Sequence, residues 1–341
     1  MQHKPSGLTA ARFLKTIAAN KDSMSRVGYV EATKWPDAHI IKAAVAPTTT
    51  VNSSALVPVI GQDFMALVRP MSIIGRLQKL RRQPFGVRTV VQTAGARGHW
   101  IPEFGNKSVQ VSAFQGFPAL LPRKVASISV VTEELAQASD AENILLQDLS
   151  AAAVATLDES FIDPASAEVL NERPASVTNG QPSIPSSGTD AEAIRADIRA
   201  LVSNFKGDLA SAVLIMDAET AVAIAMLQAS LGGASFDIGQ GTGILFGLSV
   251  LISGAVPSDT SGSVIALVDA SAVQISGGEN ADLHVSREAT VLMDSAPGSG
   301  ASQLVSLWQT NSVGLLAEIY VNWRLVRPGA AVTVTGVSYG G

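Results

Sequence analysis

The strongest hydrophobic pattern in the chain predicts a long amphipathic helix near its middle. Apolar side chains recur at every fourth position and form one stripe along a helix, at Leu145, Leu149, Ala153, Leu157 and Phe161. Ser139 and Glu142 form a capping-box pattern before this stripe, and Asp163-Pro164 ends it. About 21 residues that rise about 1.5 Å each predict a rod of roughly 30 Å.

A second pattern predicts an unusually long strand near residue 320. Apolar side chains alternate there with polar ones, and the apolar positions are Ala317, Ile319, Val321, Trp323 and Leu325. With Ser312–Leu316 included, the run is about 15 residues, whereas ordinary strands have about 5 to 6. At about 3.3 Å per residue it would span close to 50 Å. A helix and a strand of this length are typical of an elongated plate rather than a compact enzyme.

Alternation with a period of two also occurs between Arg88 and Thr132. It is clearest over Val109–Ala113 and over Ser127–Val130, and glycines and prolines lie between these runs. We therefore predict a long hairpin with irregular turns. Because this segment has few large apolar residues for its length, we expect it to need a partner surface to stay ordered.

Shorter patterns predict the remaining elements. A helix is expected over Thr9–Ala19, and another begins at a capping box formed by Thr189 and Glu192. The Thr/Ser-rich run 47–54 predicts an extended arm without a core of its own, and the Pro-, Ser- and Gly-rich segment 174–188 predicts a linker. Beyond residue 211, strands over 213–216, 248–252, 264–268 and 290–293 alternate with a helix over 218–230, which predicts a compact α+β domain.

Composition indicates a protein that covers part of its surface with other chains. Of 341 residues, 47% are hydrophobic and only 16% are charged, whereas soluble domains have roughly 25% charged residues. The longest uncharged apolar stretch, 244–256, is shorter than the about 20 residues that a membrane span needs. We expect no secretory signal and no membrane association. Burial against other chains then accounts for the low charge.

Charge and cysteine content exclude further classes. The chain has no cysteine, which excludes disulfide scaffolds and thiolate chemistry. Its net charge of −5 disfavours a dedicated nucleic-acid binder. The segment 76–107 has seven bases and one acid, and the segment 125–172 has ten acids and no base. These segments either attract each other, within or between chains, or form two solvated faces.

No motif gives an enzyme positive support. Gly239–Gly243 lacks the spacing of a phosphate loop and predicts a flexible loop. Ser203 and Lys206 match a Ser-x-x-Lys pattern on an amphipathic helix, without the companion motifs of the acyl-enzymes that use it. The four histidines are scattered, so we expect no metal site and no cofactor. The carboxylates of Asp158, Glu159 and Asp163 are expected on a solvated helix end.

One ordered series of segments extends through most of the chain. It comprises Ala55–Pro58, Trp100–Lys107, Lys124–Ala126, Glu133–Leu135, Leu245–Val250, Val285–Glu288, and the stretch from Asn311–Val313 to Arg327–Ala330. No one segment is specific, but their order over about residues 50 to 341 resembles the major capsid proteins of tailed bacteriophages, which have the Hong Kong 97-type fold.

The resemblance implies an α+β capsid fold with four parts. Residues 1–58 would form an N-terminal arm and 84–125 an extended loop that reaches neighbouring subunits. Residues 59–83, 126–204 and 308–327 would form a peripheral domain with the long spine helix and the long strand. Residues 205–307 and 328–341 would form an axial domain, which meets its copies at the centre of hexamers and pentamers.

The same resemblance implies a structural protein of an icosahedral shell around double-stranded DNA, located in the virion and assembled in the host cytoplasm. Implied partners are other copies of the chain, a scaffolding protein or domain, a maturation protease, a portal and cement proteins. Only some 50 residues precede the core, so the scaffold is a separate protein or the chain is a trimmed or alternative product. The alternatives are an encapsulin-like nanocompartment with protein cargo, and a hydrolase that uses Ser203 and Lys206.

Some members of this family join neighbouring subunits through an isopeptide bond. By motif position, the lysine, asparagine and assisting glutamate fall on Lys107, Asn311 and Glu318. A dry interface and a nearby carboxylate would supply the neutral amine that this reaction requires. In the alternative interpretation, Asn311 and Glu318 are structural hydrogen-bonding residues of the long strand, and Lys107 is an exposed loop charge.

Overall fold

A computed structural model describes residues 7–20, 23–45, 57–94, 100–101, 113–137, 141–227, 241–259, 262–293 and 303–340. The chain forms two compact units, each built from separate segments. Unit 1 comprises Met1–Arg76, Lys124–Glu159 and Gly278–Tyr320, and unit 2 comprises Leu77–Arg123, Ser160–Gly277 and Val321–Gly341. Within the described ranges, no helix is both long and apolar enough to cross a membrane.

Helices predominate at the start of the described chain and strands at its end. The α-helices are α1 Leu8–Ala19, α2 Ser23–Thr33, α3 Ala38–Val45, α4 Val57–Met71, α5 Ile73–Arg76, α6 Glu133–Gln137, α7 Ala141–Ile162, α8 Ala191–Asn204 and α9 Ala218–Met226. The strands are β1 Arg81–Arg82, β2 Thr89–Ala94, β3 Ala113–Phe117, β4 Arg123–Thr132, β5 Ser183–Pro185, β6 Ala212–Met216, β7 Thr242–Leu245, β8 Leu248–Ile252, β9 Ser258–Asp259, β10 Gly262–Asp269, β11 Val273–Ser286, β12 Thr290–Met293, β13 Gln303–Ser306, β14 Ser312–Leu325 and β15 Ala331–Val337.

The long helix and the long strand are both present. Helix α7 has 22 residues, and its whole predicted stripe is buried. Strand β14 has 14 residues, about 46 Å at 3.3 Å each. It lies inside a four-stranded sheet of order β1-β11-β14-β4. Both predictions are confirmed, because strict periodicity over many residues identifies an element better than any single residue does.

Residues 8–45 form three helices, of which the sequence pattern predicts only the first. Helix α1 confirms the predicted helix and buries Leu14 and Ala18 completely. Asp63 on α4 accepts hydrogen bonds from the first backbone N–H groups of α1, at 2.8 Å from Thr9 N and 3.3 Å from Ala10 N. A carboxylate satisfies these N-terminal donors well, so α1 is part of the core of unit 1. The Thr/Ser-rich run 47–54 lies outside the described residues.

The predicted hairpin is shorter than expected. Strands β2 and β3 pair antiparallel, with Thr89 opposite Phe117 and Gln92 opposite Phe114. Strand β4 does not join them and belongs instead to the sheet of β14. Prolines in the irregular segment 118–122 break the ladder between β3 and β4, which the alternating pattern alone does not reveal. The alternation over 109–112 lies outside the described residues.

Unit 2 is organised around a mixed sheet of order β5-β15-β10-β6-β8-β7, with β9 paired to β10. Strands β6, β8 and β10 confirm three predicted strands, and their apolar side chains form one core with those of α8 and α9. In unit 1, strand β12 confirms a fourth prediction. The predicted linker 174–188 is partly wrong, because its residues 183–185 form β5 and pair in parallel with β15.

Two helix boundaries differ from the predictions. The N-cap of α8 is Asp190 rather than Thr189, and its carboxylate accepts from Ala193 N at 2.8 Å. Aspartate is the stronger acceptor for the first N–H groups of a helix, so it takes the capping position. Helix α9 ends at Met226, four residues before the predicted end, and residues 228–240 lie outside the described part.

Candidate functional site

Of the three predicted cross-linking residues, the structure describes Asn311 and Glu318, and Lys107 lies outside the described residues. Asn311 directly precedes β14 with a φ of 49°, a left-handed conformation that asparagine adopts more readily than most residues. Its carbonyl oxygen accepts from Glu133 N at 3.0 Å. The residue is exposed, so this turn presents a carboxamide at the surface of unit 1.

Asn311 lines a cavity of about 460 Å³ within unit 1, together with Glu133, Arg287 and Trp308. The Arg287 guanidinium lies 3.8 Å from the Glu133 carboxylate and donates to the carbonyl of Ala18. Charges of both signs therefore face the space beside the Asn311 turn. Trp308 is largely exposed at the rim of the cavity.

Glu318 is already engaged within its own chain. The Lys124 ammonium on β4 donates to Glu318 Oε1 at 2.8 Å, and the Glu318 side chain is only 15% exposed. This hydrogen bond, together with the carboxylate charge, raises the pKa of Lys124. The contact supports a structural role for Glu318 in joining β4 to β14.

One copy of the chain does not bring Asn311 and Glu318 together. They are separated by seven positions, mostly in extended strand, which places them roughly 20 Å apart. A single carboxamide and a single carboxylate of one chain therefore cannot act on the same bond. Any joint chemistry requires Glu318 from another copy.

The other candidate catalytic groups have structural contacts. The Ser203 hydroxyl donates to the Arg199 carbonyl at 2.8 Å, and Lys206 lies beyond the end of α8. A helical i, i+3 placement, which would bring these two side chains together, is therefore absent. Among the described residues, no group of three or more His, Asp and Glu side chains is arranged to hold a metal ion.

The expected solvated carboxylates divide into three different environments. Asp158 is completely buried, contrary to the prediction, and accepts from Ile73 N at 2.8 and 3.0 Å. Glu159 is exposed as expected. Asp163 caps the turn after α7 by accepting from Ala165 N at 2.9 Å. The sequence pattern predicts a solvent-exposed Asp158 because two adjacent acidic residues, here Asp158 and Glu159, are typical of a protein surface.

Two buried carboxylates of unit 2 were missed by sequence reasoning. Asp197 accepts from the hydroxyls of Tyr339, Ser186 and Ser187 at 2.6, 2.8 and 2.6 Å. Burial and this hydrogen bond to Asp197 raise the pKa of the Tyr339 hydroxyl. The only sequence signal for such an acid is its place between buried apolar positions of α8, and that signal does not identify its partners.

Asp269 forms the second hydroxyl-lined centre. It is fully buried and accepts from Ser211 Oγ at 2.6 Å, Asp208 N at 2.9 Å and Ser271 N at 2.9 Å. Burial opposes the charged form, but these hydrogen bonds outweigh it and lower the pKa of the carboxyl. Arg327 adds a contact at 3.2 Å. The centre ties β10 to the turn before β6 and to the turn after β14.

The β2–β3 hairpin presents two large apolar side chains to solvent on one face. Val90 and Phe114 are 66% and 64% exposed, and the register sets them diagonally on the same face. The base of the hairpin is held by Arg324, which lies over the Phe117 ring at 5.3 Å and donates to the Pro118 carbonyl. A hairpin that is fixed at its base and exposes large apolar side chains is typical of a surface that another chain covers.

Comparisons with known proteins identify relatives of one kind. The phage capsid family model matches residues 55–336. A capsid polyprotein of Pseudomonas phage PAJU2 is 40% identical over 321 residues, which cover 88% of this chain and 48% of that protein. The chain therefore spans about half the length of this curated relative.

Solved structures support the same fold. A structure from Gordonia phage Cozz has a TM-score of 0.52 at 18% identity, over 80% of this chain and 87% of that one. A structure described as the capsid of a native GTA particle computed with C5 symmetry has a TM-score of 0.50 at 15% identity, over 80% and 91%. The predicted α+β fold of Hong Kong 97 type is confirmed. With the family model matching most of its length, the chain belongs to the phage capsid family.

Proposed function

We propose that this chain is the major capsid protein of a tailed phage and that its copies form the hexamers and pentamers of an icosahedral head shell. The observation that carries the proposal is the β2–β3 hairpin, whose Val90 and Phe114 are exposed on the isolated chain. Membership of the capsid family supports a second copy as the chain that covers them.

The shell would assemble through many weak contacts and rearrange when double-stranded DNA is packaged. A net charge of −5 suits a container that does not bind its genome tightly. We expect the protein in the virion after assembly in the host cytoplasm. Its further partners would be a scaffolding protein or domain, a maturation protease, a portal and cement proteins.

Electron microscopy of the expressed protein, alone and with a candidate scaffold, tests this function. We expect closed particles, and in infected cells we expect particles that contain nuclease-protected DNA. Particles with protein cargo and no DNA would favour the encapsulin-like alternative. A small oligomer that hydrolyses ester substrates, with activity lost on Ser203→Ala, would favour the hydrolase.

The predicted cross-linking residues lead to a second proposal, a covalent bond between copies of the chain. The neutral Lys107 amine of one copy would attack the Asn311 carboxamide carbon of another, form an amide, and release ammonia. Because Glu318 and Asn311 of one chain are roughly 20 Å apart along extended backbone, the assisting Glu318 would come from a further copy. Structural roles for Asn311 and Glu318 are the alternative.

Denaturing gels of mature particles distinguish these two interpretations. Covalent ladders that disappear with Lys107→Arg and with Asn311→Ala would support the bond. A gel that shows only monomer from mature wild-type particles would exclude the covalent bond. Lys79→Arg is the matched control, because Lys79 is an exposed lysine whose ammonium donates to the Ala210 carbonyl of its own chain.

A further inference from the structure

Two cationic side chains of unit 2 are held on two short turns that meet at Asp269. The Lys79 ammonium donates to the Ala210 carbonyl at 2.8 Å, and Arg81 Nε donates to the Ser271 carbonyl at 2.7 Å. Both turns bind the same carboxylate, because the serine after Ala210 donates its hydroxyl to Asp269 at 2.6 Å and Ser271 N donates to it at 2.9 Å. Lys79 and Arg81 are both exposed, so their charges lie together at the surface.

Three further bases extend this surface within unit 2. Arg327 lies 3.2 Å from Asp269, and its side chain is 40% exposed. Lys206 is exposed, and its backbone N–H donates to the Gly329 carbonyl at 2.8 Å, close to Arg327 in the chain. Arg82 is the next residue of the edge strand β1 and is also exposed. We call these five residues the basic patch: Lys79, Arg81, Arg82, Lys206 and Arg327.

The basic patch has an excess of positive charge. Two acids lie in the same turns, Asp208 and Asp269, so the five bases leave a local net charge of +3 on a chain whose net charge is −5. Asp269 is completely buried, and Asp208 accepts from Ala210 N at 2.9 Å. Among the described residues, Arg327 is the base of the patch that forms an ion pair with a carboxylate, and the other four form none. An anionic partner would therefore be attracted here.

The surroundings of the basic patch indicate the class of partner. Protein interfaces have an apolar core that is poor in charge, whereas the turns of the patch expose one large apolar side chain, Leu209. Arginine and lysine side chains bind the phosphates of DNA without such a core. Double-stranded DNA is also the polyanion that the proposed shell would enclose, so this inference rests on the proposed function.

We propose that the basic patch contacts the phosphate backbone of the enclosed double-stranded DNA. The carbonyl acceptors already hold the side chains of Lys79 and Arg81, so binding costs little further side-chain ordering, and both groups keep other N–H donors for a phosphate. Contacts to phosphates carry no sequence information. The negative charge of the rest of the chain keeps the binding weak, so the shell contacts its DNA without fixing it in place.

Fluorescence anisotropy of a short labelled DNA duplex with free subunits, measured at several salt concentrations, tests the patch. Each phosphate contact contributes about −0.9 to the slope of log affinity against log salt concentration, so five bases predict a slope of up to about −4.5. Lys79→Gln combined with Arg82→Gln should make this slope less steep by about 1.8 and weaken binding at low salt by roughly tenfold or more.

The matched control is Arg173→Gln combined with Arg199→Gln, which removes the same charge from two exposed arginines of unit 2 outside the patch. This control should leave the salt slope unchanged. Equal weakening by both double variants would overturn the inference, because net charge alone would then explain the binding. Wild-type subunits that do not bind the duplex at low salt would also overturn it. If the Lys79 double variant fails to fold, Arg82→Gln is compared with Arg173→Gln, with about half the change in slope.

Acetylation by acetic anhydride tests the contact in particles. In DNA-filled particles, Lys79 should lose most of the reactivity that it has in particles of the same form emptied of DNA, whereas Lys124 of unit 1 should react equally in both. Equal acetylation of Lys79 in filled and emptied particles would overturn the inference, and equal protection in both would identify another copy as the partner. Absence of particles from the wild-type chain would contradict the proposed function, whereas the subunit assay tests the patch without particles, so the two failures are distinguishable.

Discussion

Asp158 accepts the backbone N–H of Ile73 with both carboxylate oxygens, at 2.8 and 3.0 Å, and both residues are completely buried. The contact joins the spine helix α7 to the start of α5 inside unit 1. Burial lowers the pKa of the nearby Arg76, and the Asp158 charge opposes this effect. Asp158 thus compensates a half-buried cation and caps a helix at once.

Removing this carboxylate should destabilise the subunit strongly. We expect Asp158→Ala to lower the free energy of unfolding by about 2–4 kcal/mol, because it leaves a backbone donor unsatisfied and takes a counter-charge from Arg76. Urea unfolding of dissociated subunits measures the change. Glu159→Ala, at the adjacent exposed position, should change stability by less than about 0.5 kcal/mol. Equal effects of the two variants would contradict the structural role of Asp158.

The stability of unit 2 should depend on pH through Asp269. Its hydrogen bonds lower the pKa in the folded state, so its contribution is fully present above the unfolded value of about 3.9 and is lost as the pH falls through the folded value. We expect Asp269→Asn to be less stable at neutral pH and to lose less stability on acidification. Urea midpoints measured at several pH values from neutral to acidic test this. Parallel curves for variant and wild type would argue against it.

The Tyr339 hydroxyl should contribute to the free energy of unfolding, because the carboxylate that accepts its hydrogen bond is buried. Tyr339→Phe removes the 2.6 Å hydrogen bond to Asp197, and we expect a loss of about 1–3 kcal/mol. Tyr320→Phe is the matched control, since Tyr320 is 39% exposed. Thermal unfolding of both variants provides the comparison. A wild-type melting temperature for Y339F would show that Asp197 does not depend on this donor.

A close approach between α4 and β11 makes Gly61 sensitive to any side chain. A Cβ atom there would lie 2.0 Å from the Ala281 carbonyl oxygen, and that oxygen belongs to backbone. Gly61→Ala should cost about 3 kcal/mol or prevent folding. Gly116→Ala, on β3 with no atom within 4 Å of the added Cβ, should be tolerated. Comparable soluble yield and stability for the two variants would contradict this packing.

Sequence reasoning succeeded where one pattern continued over many residues, as in α7 and β14. It missed β11, although that strand has 14 residues, because Gly277 and Gly278 both adopt positive φ and interrupt the alternation. It also missed α2, since the sequence of that helix has no strong apolar stripe.

The site residues were harder to predict for a physical reason. The locations of Asp158 and Asp197 depend on partners far away in the sequence, and the local sequence does not identify those partners. Asn311 and Glu318 were identified by motif position alone. Their separation and the Lys124 contact became visible only in the fold.

The assembly state of the purified wild-type chain at high concentration most directly tests the claim that copies of the chain form a closed shell. We predict that electron microscopy finds closed shells, and that Val90→Ser with Phe114→Ser reduces them at unchanged subunit stability, whereas Gln115→Ser on the opposite face of β3 does not. A chain that remains a stable monomer at every concentration, with or without a scaffold, would contradict the capsid function.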